Sequence, residues 1–107
     1  MPTEREIRLV LNEIMAAVTE AVGDIKSASG VIAIFKAALK AIPAAILKVE
    51  EVAGRLGLKG DDKRELAVTS IMSLVKLPWW MPKPVMRAIL ESAIDAAVEA
   101  GNTRLKK

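Results

Sequence analysis

The sequence predicts an all-α protein, a compact bundle of four main helices forming one domain over residues 1–107. Three observations lead there. Apolar residues recur at three- and four-residue steps in four separate stretches, the spacing of one helix face. Hydrophobic residues make up 52% of the chain but aromatics only 3%, so the core has to be built from Ile, Leu, Val, Met and many Ala. The breaks between the stretches, at residues 27–30, 57–61 and 77–83, are short, which favours antiparallel neighbours.

The first helix is expected over about residues 4–26. Thr3 can cap it, and Glu6 three residues on completes a capping box. Ile7, Val10, Leu11, Ile14, Val18 and Ile25 follow one face. Ser27, Ala28, Ser29 and Gly30 form the break.

The second helix is expected over about residues 31–56. Its apolar arc includes Ile34, Phe35, Ala38, Leu39, Ile42, Ala45, Val49 and Val52. Lys36, Lys40 and Lys48 fall on the opposite arc. Pro43 deletes its own hydrogen bond to the Leu39 carbonyl, so a kink or a split into two helices is expected there. Gly57 suits a left-handed C-cap.

The third helix, about residues 62–76, takes its cap from Asp61 or Asp62. Apolar residues cover most of its circumference, which marks it as the most buried of the four. The fourth, about residues 84–100, starts with Pro84 as its first residue and ends at Gly101-Asn102. A basic tail, residues 103–107, follows and is expected to fray.

The connection Leu77-Pro78-Trp79-Trp80-Met81-Pro82-Lys83-Pro84 holds three of the five prolines and both tryptophans. No ordinary helix runs through it. If the segment is extended, adjacent side chains point to opposite sides, so one Trp packs inward and the other stays at least partly exposed. Three roles are open to the pair: capping the bundle, touching a partner, or touching lipid.

The residues that are missing exclude much chemistry. With no His, no Cys and no Tyr, imidazole bases, Cys/His zinc sites, thiol chemistry and the usual nucleophilic triads are ruled out. Glu91, Asp95 and Glu99 form a carboxylate row at helical spacing, which reads as a solvated face rather than a cation site. The glycines between Gly54 and Gly60 match no phosphate-binding fingerprint and follow a helix, not a strand. The net charge of +3, from 16 basic and 13 acidic residues, is too even to indicate nucleic acid. The charged N-terminus shows no signal peptide, and no uncharged run approaches the ~18–20 residues of a spanning helix.

Residues 61–102 resemble small phage-encoded helical proteins of holin-like type. The likeness rests on Asp62-Lys63-Arg64, on Leu77-Pro78-Trp79-Trp80-Met81-Pro82, and on Ile94-Asp95-Ala96-Ala97-Val98. It implies a phage or mobile-element origin. The departure is that a true holin needs a spanning segment, which this chain lacks.

These readings give a non-catalytic helical interaction or structural protein. It self-associates through apolar surface near Trp79, Trp80 and Met81. The alternative is a peripheral membrane-binding or membrane-permeabilising protein. There Lys36, Lys40 and Lys48 face anionic headgroups and the Trp pair anchors the chain. Neither reading calls for enzyme activity, a cofactor, a metal or a small-molecule substrate. The expected partner is a second copy, another protein or a membrane surface, and the expected location is the cytoplasm, soluble or peripheral to a membrane.

Overall fold

The computed structural model describes the backbone of residues 3–105 and the side chains of residues 3–99. It contains four helices, α1 (Glu4–Ala21), α2 (Val31–Leu56), α3 (Gly60–Leu74) and α4 (Lys83–Leu105), and no strand among the described residues. α2 and α3 each touch every other helix, whereas among the described residues α1 and α4 do not touch each other. The α2–α3 pair is therefore the spine of the bundle, with α1 against one side and α4 against the other.

The core is aliphatic, as the composition requires. Ile14, Ile25, Ile71, Met86 and Leu90 are the largest fully buried side chains. Each contributes roughly 1.5–3 kcal/mol by leaving water. α2 buries five alanines (Ala37, Ala38, Ala41, Ala45 and Ala53), and their small side chains let three helices approach it at once. Ion pairs tie the helices at the surface: Arg55 to Glu13 across α1–α2, Lys63 to Glu50 across α2–α3, and Arg64 to Asp95 and Arg87 to Glu65 across α3–α4. Such exposed pairs are worth at most about 1 kcal/mol each, so they fix register more than they hold the fold together.

The capping box forms as the sequence predicts. The Thr3 backbone N–H donates to Glu6 Oε1 at 3.1 Å, and the Glu6 N–H donates to Thr3 Oγ1 at 3.2 Å. α1 ends at Ala21, earlier than the expected residue 26. Gly23 weakens the helix there, and a series of turns over residues 23–27 still carries Ile25 into the core. α2 runs unbroken through Pro43, so it is not split. Pro43 is exposed, which leaves the Leu39 carbonyl on the solvent side, where water can satisfy it. Gly57 adopts the left-handed conformation at φ 66°, and the Leu58 N–H closes back on the Ala53 carbonyl at 3.2 Å.

α3 begins at Gly60, with Lys59 rather than an aspartate at its cap. Asp61 and Asp62 instead lie in its first turn, where they favour the positive end of the helix dipole. α3 ends at Leu74, two residues before the expected end, and it shares the central position with α2. α4 starts at Lys83, which makes Pro84 its second residue, and it continues past Gly101-Asn102 to Leu105. The first part of the expected frayed tail, Thr103 to Leu105, is thus helical, and residues 106–107 lie outside the described residues.

Candidate functional site

The connection between α3 and α4 is a turn, not an extended segment. The Met81 N–H donates to the Pro78 carbonyl at 3.0 Å, so Trp79 and Trp80 are the two central residues of a four-residue turn. Central turn residues project away from the chain that closes behind them. Trp79 is accordingly 95% exposed and Trp80 56% exposed. The expectation that one Trp packs inward over the helix ends fails, as does the bundle-capping role. Leu77 and Met81, which flank the turn, pack against the core instead. Met81, expected as a contact residue, is thus partly buried beneath the turn. Trp80 rests along a shallow groove of about 440 Å³ beside Ser29, Gly30, Val31 and Ile34, which places the turn at the start of α2.

α2 carries a second apolar feature, which the sequence reading missed. Ile32 is 72% exposed, Leu39 51% and Leu47 74%. With exposed Pro43, they recur at seven, four and four residues and form one stripe on the outer face of α2. Leu39 was expected in the core. The stripe is narrow, and the wide apolar arc on the other side of the same helix masks it. The available signal was the presence of large apolar residues among the lysines: Ile32 and Leu47 flank Lys36 and Lys40 in sequence. Lys36 and Lys40 are exposed and form no ion pair among the described residues. Lys48 is half-buried and pairs with Glu51 at 3.3 Å, which separates it from the other two lysines.

A groove of about 610 Å³ lies between α2, α3 and the second half of α4. Its floor is Ile46, Val49, Ala67 and Ile94, and its rim is formed by the Glu50–Lys63 and Arg64–Asp95 pairs. Lys63 meets Glu50 and Arg64 meets Asp95 there, and Asp61 and Glu99 also line the groove. The carboxylate row is engaged in the same way: Glu91 meets Arg87 at 3.4 Å and Asp95 meets Arg64 at 3.1 Å. Among the described residues, no cluster of three acidic side chains could hold a metal ion. The one buried polar side chain in the core, Ser70, donates its hydroxyl to the Leu66 carbonyl of its own helix at 2.7 Å.

Among the described residues, no helix is long and apolar enough to cross a membrane. No protein-family model, curated protein or solved structure matches this chain.

Proposed function

We propose that this chain is a non-catalytic interaction protein that assembles with copies of itself, using apolar side chains that its bundle leaves outside. The observation that carries this reading is the set of large apolar side chains left outside the bundle, Ile32, Leu39 and Leu47 on α2 and Trp79 and Trp80 at the tip of a proline-bounded turn. Tryptophan is the side chain most enriched at the energetic centres of protein contacts, and a preset turn loses little entropy when it docks. Light scattering across a concentration series tests the proposal. The expected result is a mass of two or more chains as concentration rises. A single-chain mass throughout would remove it.

A peripheral contact with an anionic membrane is the second reading, favoured by the charge distribution. No acidic residue lies between Asp24 and Glu50, or between Glu65 and Glu91. These two stretches hold Lys26, Lys36, Lys40, Lys48, Lys76 and Lys83 together with both tryptophans. If the protein stays in the supernatant when anionic vesicles are sedimented at low salt, this reading falls. The holin-like resemblance of residues 61–102 enters only as a proposed phage or mobile-element origin, and a cytoplasmic location belongs to the same proposal.

A further inference from the structure

The outer stripe of α2 is evenly spaced about Pro43, as any helix face is about its own midpoint, so the residues on its two halves decide whether it can pair with a second copy. Starting from Ile32, the residues on this face are Lys36, Leu39, Pro43, Leu47, Glu50 and Gly54, at steps of four, three, four, four, three and four. Pro43 is the midpoint. Four residues to either side stand Leu39 and Leu47, seven to either side Lys36 and Glu50, and eleven to either side Ile32 and Gly54. A two-fold axis through Pro43, normal to two antiparallel helices, matches each residue with its opposite number on a second copy.

Along the centre of the stripe the matched residues are complementary, and Lys40 and Ile46 face each other at its edge. Leu39 of one copy meets Leu47 of the other, two leucines that are both exposed in the single chain. Ile32, a protruding side chain, meets Gly54, where a Cβ would have nothing within 4 Å. Lys36 meets Glu50. The Lys63 ammonium bonds to Glu50 Oε2 within the chain, while Oε1 accepts no hydrogen bond among the described residues. Lys36 therefore supplies a cation without an ion pair to a carboxylate oxygen without a donor. No like charges face each other at any matched position on the stripe.

We infer that the protein forms a two-fold dimer through antiparallel packing of α2 on α2, centred on Pro43. The inference rests on the self-association proposed above and assigns its surface and register. At an axis separation of about 8–10 Å, with Cα atoms ~2.3 Å from each axis, the two Cα atoms at position 43 lie roughly 3.4–5.4 Å apart. That distance is within disulfide reach. A residue at position 39 is offset from its own mate by eight residues, about 12 Å along the helix. Two cysteines there are beyond the ~7 Å limit for a bridge.

The chain contains no cysteine, so single introduced thiols report directly. The test uses the full-length variants P43C, L39C and L47C, all at exposed positions, under mild copper–phenanthroline oxidation with helicity checked by circular dichroism. P43C should cross-link to itself. L39C and L47C should each stay uncross-linked alone and cross-link when mixed. In the same assembly K36E should weaken dimerisation about tenfold, because the symmetry breaks two pairs at once, and K36E/E50K should restore it. A two-chain mass with L39C or L47C bridging alone, or with P43C unbridged, overturns this register and leaves self-association standing. A single-chain mass at every concentration overturns both.

Discussion

Replacing Pro43 with alanine is predicted to stabilise the fold. Pro43 lies in the middle of a continuous 26-residue helix and is exposed. At exposed helix-interior positions proline is about 3 kcal/mol less favourable than alanine. Proline also stiffens the unfolded chain, which returns roughly 0.4–1 kcal/mol of that difference. The net gain for Pro43→Ala is therefore about 2 kcal/mol. An unfolding entropy of ~2.1 cal/mol/K per residue over this chain gives about 0.2 kcal/mol/K, so the melting temperature should rise by about 9 °C. The assay is thermal and urea unfolding followed by circular dichroism, at a concentration low enough that light scattering shows a single chain. In urea the midpoint should move up by about 1 M. An unchanged or lowered midpoint would refute the reasoning, because it would mean that the proline ring makes packing contacts that outweigh its missing hydrogen bond.

The remaining predictions concern the core, the cap and the hinge. Leu90→Ala empties a fully buried site between α4 and the spine and should cost about 2–5 kcal/mol, read as a lower urea midpoint. Ser70→Ala should change stability by less than about 0.5 kcal/mol, because the hydroxyl bonds only to its own helix and the Leu66 carbonyl keeps its backbone partner. Trp79→Ala should also leave the urea midpoint within about 0.5 kcal/mol, since the ring touches little of the bundle, while weakening any contact made by the turn. The Glu6 carboxyl is held below its ordinary value, first by the Thr3 backbone N–H and then by the Thr3 hydroxyl. Its folded-state value is depressed, so its contribution to the α1 cap is present above the ordinary glutamate range and is lost as pH falls through the folded value. An acid titration followed by NMR should show the Thr3 amide signal moving together with the Glu6 carboxyl, and independent titration of the two would count against the capping geometry.

Much of the fold was legible because its determinants are local. Thr3 with Glu6, and Gly57 after Leu56, are short-range hydrogen-bond and backbone-dihedral devices, and both appear as their residue types require. Residues whose outcome depends on competition were harder to read. Gly101 is a poor helix residue, but a cost of about 1 kcal/mol does not forbid a helix, and α4 continues past it. Asp61 and Asp62 are good caps, yet the helix extends one turn-forming residue further back and uses them as first-turn acids instead. The tryptophans were misplaced because the reasoning assumed extended backbone. The Pro78–Met81 turn reverses that geometry, and the flanking Leu77 and Met81 take the inward positions. On α2 the wide buried arc dominates any periodicity count and outweighs the three exposed aliphatic side chains on the far side, whose one mark in the sequence is their place among the lysines.

That far side unites two costs that are otherwise unrelated. A mid-helix proline leaves a carbonyl without its helical partner, and Ile32, Leu39 and Leu47 leave apolar surface in water. Scattered exposed aliphatics are ordinary on protein surfaces and would need no explanation one at a time. Here they share one narrow stripe with the proline at its centre, and the charged residues on that stripe are of opposite sign on its two halves. What bears on pairing is the sign of the charges: the two-fold axis sets Lys36 of each copy against Glu50 of the other and so turns an asymmetric charge pair into two matched ones. Burial of the leucines then offsets the exposure that the single chain carries. The cost of Pro43 and the exposure of its neighbours are on this account one feature, and the cross-linking pattern around position 43 distinguishes it from chance.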